Sequence, residues 1–264
     1  MSYNSSNNII KYSLVIYLLT FKTYYVIYIL KLLKKQILNQ YLDSMNVFKL
    51  RKPNGIELNI SSKEWLRDLE YIKSLASIKH IVACLGGNKI NNIHFIKATS
   101  ILTDKLAKAG ISVLTGAGSG IMEAANMGAF AVNKDYSYGL NVNNFDDSYN
   151  NNKYYSVITK KNTYYFNILS IRLLALISVS DAIVFFPGGF GTLDEMFSLL
   201  ERINTNMMQK VPIYFYNSEF WHGLVEWLKK SVVEIGSIEA EDLELIQIKN
   251  DINEIAKSII EHLL

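Results

Sequence analysis

The stretch Asp181–Glu195, with the sequence DAIVFFPGGFGTLDE, decides the fold. It opens with the apolar run Ala182–Phe186, and a run of this kind that stops at Pro and Gly is typical of a strand buried on both faces of a parallel sheet. Pro187–Gly191 predicts a sharp turn, and we expect Thr192 to cap the helix that follows. The segment is therefore predicted as strand, glycine-rich loop and helix N-terminus, which together present backbone N–H groups to a phosphate.

Two acidic residues, Asp194 and Glu195, are expected in the first turn of that helix. Acids are common in this position because they complement the helix dipole. The alternative interpretation is that an acid is held beside a bound phosphate ester. The local pattern alone leaves both interpretations open.

The fixed positions from Pro187 to Glu195 read PGGxGTxxE. In this respect the sequence resembles the LOG family, once described as lysine-decarboxylase-like, whose signature has the same nine positions. The resemblance implies hydrolysis of nucleoside 5′-monophosphates to free base and ribose 5-phosphate. It also implies that Glu195 is catalytic and that the 5′-phosphate is held by Gly188, Gly189, Gly191 and Thr192.

A second strand–loop–helix unit is predicted upstream, with a strand over Ile111–Leu114 and a helix over Ile121–Asn133. The loop between them reads TGAGSG. Its glycine spacing and the lack of an acid after the next strand fit a dinucleotide-binding loop poorly. A P-loop is excluded because no Gly-Lys-Ser/Thr is present.

The segment Thr115–Ala129 resembles the LOG-family stretch TGGGPGIMEAANxGA. Ala117 and Ser119 stand where the family has Gly and Pro, so the loop is expected to differ in shape. The resemblance implies nucleotide contacts from Gly116, Gly118 and Gly120.

Arg172 is the only charged residue in the run Tyr164–Ser180, YYFNILSIRLLALISVS. We predict a helix over Thr163–Val179, apolar almost all round and therefore buried in the domain or at a subunit contact. A buried Arg needs a partner. It either reaches solvent or an acid such as Asp181, or its head emerges at the strand ends close to Glu195.

The LOG resemblance favours the second arrangement. The family has an Arg-Lys pair fifteen residues before the signature Pro, and Arg172 stands at that spacing from Pro187, with Leu173 in place of Lys. The resemblance implies that Arg172 and Glu195 act together, and our hypothesis is that they form one catalytic unit.

Strands and helices alternate along the rest of the chain, which predicts a doubly wound, mostly parallel, Rossmann-like α/β sheet with helices on both faces. Ligands in such sheets bind at the carboxyl ends of the strands, where both glycine loops lie. The other predicted strands are His80–Leu85, Tyr136–Asn141, Tyr154–Thr159, Val211–Phe215 and, at an edge, Leu245–Ile248. A tight loop at Gly86–Asn88 is expected after the first of these. The other predicted helices are Ser62–Leu75, Ile93–Ala109, Phe220–Ser231 and Asp251–Leu263, and Gly110 is expected to stop the second of these.

Length, net charge and the content of cysteine and histidine restrict the kinds of protein that this sequence can encode. A chain of 264 residues can bury one α/β core, and its net charge of +3 is too small to indicate nucleic-acid binding. The single cysteine, Cys84, lies in an apolar run and is predicted to be a packed thiol rather than a nucleophile. The four histidines lack metal-ligand spacing, so the sequence predicts no metal site and no cofactor.

Residues 1–44 differ in composition from the rest of the chain. Ile9–Leu33 is rich in Leu, Ile and Tyr, but Lys22 would lie near mid-bilayer at a cost of about 2.5–3.5 kcal/mol. The segment is a poor membrane anchor, an amphipathic surface helix or non-native sequence upstream of a start at Met45, and the last two are favoured. We expect residues 45–264 to form a single LOG-type domain of a cytoplasmic protein, with membrane contact only if residues 9–33 are an anchor.

We expect a homodimer or a higher even oligomer. Thr163–Val179 and the helical face of Leu193–Ile203 offer more apolar surface than one sheet face needs, and the resemblance also implies dimers. Two rival functions remain beside the hydrolase: a non-catalytic nucleotide- or cofactor-binding carrier of the same fold, and an amino-acid decarboxylase. The decarboxylase rests on the old family label and would need a pyridoxal phosphate lysine that nothing in the sequence marks.

Overall fold

The computed structural model describes residues 50–51, 57–58, 62–143 and 157–264. The chain divides into two units after Arg67. In the first unit, strands β1 (Leu50–Arg51) and β2 (Glu57–Leu58) pair antiparallel. Helix α1 (Ser62–Leu75) has the predicted bounds and continues into the second unit. The predictions for residues 1–44 lie outside the described residues.

The second unit, residues 68–264, contains a parallel sheet of seven strands in the order β6-β5-β4-β3-β7-β8-β9. Every neighbouring pair in this sheet is parallel. The strands are β3 (Ile81–Leu85), β4 (Ser112–Thr115), β5 (Ser137–Val142), β6 (Thr163–Phe166), β7 (Ala182–Phe185), β8 (Ile213–Tyr216) and β9 (Gln247–Lys249). The predicted fold class is confirmed, and β9 is the edge strand that the sequence predicted.

Among the described residues, an α-helix follows every strand of this sheet except β5. These helices are α2 (Ile93–Lys108), α3 (Ile121–Val132), α4 (Leu169–Ser178), α5 (Phe190–Asn204), α6 (Ser218–Trp227) and α7 (Ile252–Leu263). A π-helical segment, Leu228–Val233, follows α6, and short 3-10 helices precede β5, β6 and β9. Helix α2 ends before Gly110, whose φ of 83° fits the predicted glycine stop.

The two faces of the sheet carry separate hydrophobic cores, since side chains alternate along each strand. On β3, Ala83 and Leu85 pack with residues of α4 and α5, whereas Val82 and Cys84 pack with α2, α3 and α7. Helices therefore cover both faces, as predicted. Cys84 is buried, and burial raises the pKa of its thiol to about 12, which agrees with a packed thiol.

The sheet has its topological switch point between β3 and β7. The chain leaves β3 for β4 on one side, and it leaves β7 for β8 on the other. The connections diverge here, so a crevice opens at the carboxyl ends of the two strands, which is where doubly wound sheets bind ligands. Phe186–Gly189 links β7 to the next helix at this crevice, and together with the first two helical residues, Phe190 and Gly191, it forms what we call the β7 loop.

The predicted helix over Thr163–Val179 is wrong in its first part. Thr163–Phe166 forms the edge strand β6, paired with β5, and the helix α4 begins at Leu169. Because Thr, Tyr and Phe favour strands, this short apolar run suited either structure, and pairing with β5 decided it. Of the strand predicted over Tyr154–Thr159, the first three residues lie outside the described residues and the last three are not a strand.

Among the residues that the structure describes, no helix combines the length and the apolar character that crossing a bilayer requires.

Candidate active site

The loop after β7 leads directly into α5. Phe186 N–H donates to the Leu85 carbonyl at 2.8 Å, which holds the start of this loop against the end of β3. Gly189, rather than Thr192, is the N-cap of α5, and no side chain caps the helix. Thr192 is a buried residue inside the helix, so the predicted cap is wrong.

Helix α5 begins at Phe190, three residues earlier than a Thr192 cap would place it. Asp194 and Glu195 consequently lie in the second turn, and the first turn contains no acid. Dipole complementation in the first turn therefore does not explain Glu195. Its carboxylate is instead buried and paired, as described below.

Two of the three glycines in the β7 loop face open space. A Cβ added to Gly189 or Gly191 would meet no atom within 4 Å, and the Phe190 ring between them is 93% exposed. Gly188 differs, since a Cβ there would lie 2.1 Å from Thr192 Oγ1 and 3.0 Å from Gly87 N. The loop is thus packed where it leaves β7 and open where the helix begins.

The loop after β4 is held by a buried hydrogen-bond network centred on Asn126 of α3. The Thr115 hydroxyl donates to Asn126 Oδ1 at 2.5 Å and accepts from Ala117 N–H at 3.0 Å. Asn126 Nδ2 donates to the Tyr138 carbonyl and to the Ser137 hydroxyl, both at 3.0 Å. The network joins β4, α3 and β5, so it defines the shape of the loop.

Each glycine of the β4 loop meets protein atoms where a side chain would begin. A Cβ on Gly116 would lie 1.6 Å from Arg172 Nη2, and one on Gly118 would lie 2.4 Å from Met122 Cε. Gly120 has a φ of 65°, and a Cβ there would lie 2.6 Å from the Gly87 carbonyl oxygen. At these three positions, the space that a side chain would need is already occupied by other residues of the protein.

The two departures from the family stretch have visible structural consequences. Ala117 retains a left-handed backbone, with a φ of 54°, which glycine adopts more readily. Ser119 donates a hydrogen bond to the Asn88 carbonyl at 2.7 Å and so ties this loop to the loop after β3. The substitutions therefore change how the loop is held.

Gly87, after β3, links the two glycine loops. Its N–H donates to the Pro187 carbonyl at 3.1 Å, and its carbonyl accepts from Ile121 N–H at 3.3 Å. The sequence indicated only a tight loop at Gly86–Gly87 and assigned it no role in the site. Its position at the carboxyl end of a buried strand was the available signal.

Arg172 and Glu195 form a buried ion pair. Nη1 of Arg172 lies 2.8 Å from Oε1 of Glu195, and the two side chains are 13% and 10% exposed. Arg172 Nε also donates to the Leu140 carbonyl of β5 at 3.1 Å, a contact that the sequence did not indicate. The alternative partner, Asp181, instead accepts a hydrogen bond from Ile81 N–H. The structure therefore joins the two residues that the sequence singled out as candidate catalytic groups.

Burial raises the pKa of the Glu195 carboxyl above its ordinary value of 4.5. The charge of Arg172 and its hydrogen bond oppose this rise, while Asp194 adds to it. Desolvation of the carboxylate and attraction to a cation thus act against each other at this residue. Such a balance is common at functional sites, where titrating groups are tuned to their task.

A cavity of about 340 Å³ adjoins the β4 loop. It is lined by Ser119 and Gly120, by the loop after β3, by Ile96 of α2 and by three residues of α3, Glu123, Ala124 and Met127. Arg172 and Glu195 are not among its lining residues. This cavity is therefore not the immediate environment of the ion pair.

Residues 122–259 match the family described as "Possible lysine decarboxylase", a match that spans slightly more than half of the chain. The chain therefore belongs to this family, which is the LOG family that its motifs resemble. No curated protein matches the chain.

The chain is also similar to several solved structures. DNA processing protein A from Helicobacter pylori has 17% identity and a TM-score of 0.50, over 72% of this chain and 84% of that chain. The molybdenum cofactor binding protein from Rippkaea orientalis has 20% identity and a TM-score of 0.48, over 69% and 98%. The molybdenum cofactor carrier protein from Chlamydomonas reinhardtii has 16% identity and a TM-score of 0.48, over 69% and 97%. At these identities the similarity concerns the fold alone.

Proposed function

We propose that this protein hydrolyses the N-glycosidic bond of a nucleoside 5′-monophosphate and releases the free base and ribose 5-phosphate. The observation that carries the proposal is the buried Arg172–Glu195 ion pair, with its 2.8 Å contact, next to two glycine loops. Membership of the LOG family supports the same reaction class.

The reaction requires stabilisation of positive charge on the ribose. As the bond between C1′ and the base nitrogen breaks, C1′ and the ring oxygen share that charge in an oxocarbenium-like transition state. A carboxylate in a water-poor site stabilises such charge more strongly than one in water. In this proposal, Glu195 supplies the carboxylate and orients the water whose oxygen bonds to C1′. One proton of that water stays on the new C1′ hydroxyl, and the other passes to the nitrogen of the departing base.

Arg172 has the complementary role. Its guanidinium opposes the rise in the Glu195 pKa that burial causes, so it favours the ionised carboxylate. Its hydrogen bond to Oε1 directs that oxygen, and we assign Oε2 to the water and the ribose. Arg172 thus prepares the carboxylate, and its positive charge also suits a nearby phosphate.

The loop at the start of α5 is the proposed phosphate site. Gly188, Gly189 and Gly191 provide backbone groups at a helix N-terminus, and Thr192 adds a hydroxyl. The open space at Gly189 and Gly191 supports this assignment, because a phosphate needs close approach to backbone N–H groups. Gly116, Gly118 and Gly120 are proposed to line the nucleotide from the β4 side.

The proposal is tested with a panel of AMP, CMP, GMP and a cytokinin nucleotide. The purified protein should release free base and ribose 5-phosphate from at least one of them, detected by chromatography. Glu195→Gln removes the charge at nearly constant volume and should abolish most of this release. A Glu195→Gln protein as active as wild type would contradict the role of Glu195, and the panel also identifies the preferred base.

The carrier function predicts a different result in the same experiment. Leu173, at the position of the family lysine, and the strained Ala117 are the departures that favour it. Calorimetry would then show tight nucleotide binding, with no base released after long incubation. That outcome would replace the hydrolase proposal.

We also propose that the protein is a homodimer or higher even oligomer. Leu169 and Leu174 of α4 and Phe197 of α5 are large apolar side chains that the protomer leaves exposed. Burial of such residues is a common driving force for association. Light scattering at micromolar concentration should report at least twice the monomer mass, and a monomer would contradict the proposal.

We further propose that residues 1–44 are dispensable for catalysis. The described sheet and the site lie in residues 68–264, and the sequence pattern of the domain starts after Met45. A chain beginning at Met45 should keep the melting temperature and the turnover of the full chain. A large loss of either would assign the segment a structural role.

A further inference from the structure

Gly116 and the Arg172 guanidinium occupy adjoining space. A Cβ on Gly116 would lie 1.6 Å from Nη2 of Arg172 and 2.7 Å from Cζ. Both separations are far shorter than carbon makes with non-bonded nitrogen or carbon, whose preferred contacts are about 3.5–4.0 Å. A side chain at position 116 and the guanidinium in its present place therefore exclude each other.

The backbone of Gly116 does not itself require glycine. Its φ lies outside the left-handed region, in contrast to the φ of 65° at Gly120 in the same loop. The other close atom is Met122 Sδ at 3.0 Å, on a flexible side chain that adapts at low cost. The requirement for glycine at position 116 thus comes from Arg172.

Arg172 is also constrained on its other two sides. Nε donates to the Leu140 carbonyl and Nη1 donates to Glu195 Oε1, and the guanidinium is a rigid plane. A shift of Nη2 away from position 116 rotates this plane and so moves the other two nitrogens out of their hydrogen bonds. A side chain at position 116 would consequently weaken the hydrogen bond between Arg172 and Glu195.

We propose that Gly116 is a positioning residue for Arg172. Because Gly116 has no side chain, the guanidinium has the space it needs to hydrogen-bond with Glu195. The role differs from the nucleotide contact that the family resemblance implies for this glycine. It rests on the proposed function only in so far as Glu195 is the reacting carboxylate. The geometric part is testable without any enzymatic activity.

The first test is a cycle of thermal unfolding measurements. Gly116→Ala should lower the melting temperature of the wild-type protein clearly. In a background that carries Arg172→Ala and Glu195→Ala, the guanidinium is gone and the same alanine should cost much less. An equal loss in both backgrounds would overturn the proposal, because the cost would then arise elsewhere.

Gly118→Ala is the matched control, since its Cβ would meet Met122 and not Arg172. It should lower the melting temperature by the same amount in both backgrounds. A second control is Gly223→Ala in α6, where a Cβ meets nothing within 4 Å. Because alanine favours the helix, it should raise the melting temperature slightly and equally in both backgrounds, and it should leave activity unchanged.

The second test follows the titration of Glu195 by carbon-13 NMR of labelled glutamate carboxyls, assigned with Glu195→Gln. Arg172 lowers the pKa of Glu195, so its displacement in Gly116→Ala should raise that pKa, whereas Gly118→Ala should leave it at the wild-type value. The acid limb of any hydrolase activity should move to higher pH in parallel. An unchanged Glu195 titration in a folded Gly116→Ala protein would overturn the proposal, even if the wild type hydrolyses no nucleotide.

Discussion

The two glycine loops look alike in sequence and differ in what fills the space beside them. In the loop after β7, Gly189 and Gly191 face open space at the beginning of a helix. In the loop after β4, Gly116, Gly118 and Gly120 meet Arg172, Met122 and Gly87. The space where a side chain would begin is therefore open in the first loop, whereas in the second it is occupied by the protein's own side chains and backbone.

This difference assigns the two loops separate tasks in the proposed reaction. The β7 loop is suited to hold phosphate, while the β4 loop holds the arginine that orients Glu195. A change in the open loop should therefore affect ligand binding, and a change in the filled loop should affect stability and the Arg172–Glu195 pair. The predictions below test this division.

The largest expected effect is on turnover when the ion pair is broken. Arg172→Ala and Glu195→Ala should each reduce kcat/KM by about 100-fold or more, the scale of losing one preorganised electrostatic contact in an active site. The double variant should be only slightly worse, because residues that act as one unit do not add. Steady-state kinetics of the three variants measures this.

The control is a second ion pair of the same length. Lys108 Nζ lies 2.8 Å from Asp104 Oδ2, but this pair is on the surface of α2. Asp104→Ala and Lys108→Ala should change stability by less than about 1 kcal/mol and leave turnover unchanged. Penalties at Arg172 and Glu195 that simply add would show two independent roles.

The next largest effect is the opposite change in stability that we expect from alanine in the two loops. Gly120→Ala should lower the free energy of unfolding by at least about 2 kcal/mol, because its φ is positive and three carbonyl oxygens lie within 3 Å of the new Cβ. Gly191→Ala should raise it by up to about 1 kcal/mol, since the residue is helical and unobstructed.

Urea denaturation measures both changes, and calorimetry with AMP completes the test. Gly191→Ala should weaken nucleotide binding although it stabilises the protein, because the methyl group enters the proposed phosphate space. Unaltered nucleotide affinity in Gly191→Ala would contradict the assignment of the open loop.

The pH dependence of turnover tests the charge state of Glu195. If the ionised carboxylate reacts, kcat/KM falls as the pH falls through the folded pKa of Glu195. Burial raises that pKa, so the midpoint of the acid limb should lie above 4.5. Asp194→Asn should move the midpoint down, because Asp194 raises the Glu195 pKa. An acid-limb midpoint at or below 4.5, or one that Asp194→Asn does not shift, would contradict the prediction that turnover depends on an ionised Glu195 with a raised pKa.

The sequence predicted the parts of the fold that local pattern determines. The buried run Ala182–Phe185, the Gly110 helix stop and the edge strand β9 are examples, since hydrophobic periodicity and glycine stops are local signals. It failed at Thr163–Phe166, where four apolar or β-branched residues fit a helix or a strand until β5 provided a pairing partner. Tertiary context decided that segment.

The candidate site shows the same limit. The spacing of Arg172 from Pro187 pointed to Glu195 only through the family resemblance, and the structure supplied the contact. The contacts of Arg172 with the Leu140 carbonyl and with Gly116 could not be predicted from the sequence, because Leu140 lies in β5 and Gly116 follows β4. Contacts between residues 32 positions apart depend on the whole fold.

The smallest expected effect concerns the strained alanine of the filled loop. Ala117 adopts a φ of 54°, a conformation that costs a non-glycine residue roughly 1–2 kcal/mol. Ala117→Gly removes this strain and retains the N–H that donates to the Thr115 hydroxyl. The added freedom of the unfolded chain offsets about 0.4–1 kcal/mol of the gain. We therefore expect the free energy of unfolding to rise by up to about 1 kcal/mol, measured by urea denaturation.

Ala125→Gly is the control for this prediction, because Ala125 is buried inside α3. Glycine there should lower the free energy of unfolding by about 1 kcal/mol or more, since a helix interior disfavours glycine and the buried methyl group is lost. The two alanines should thus respond with opposite sign. If Ala117→Gly destabilises the protein as Ala125→Gly does, the left-handed backbone at position 117 is not a source of strain, and the β4 loop tolerates the family departure without cost.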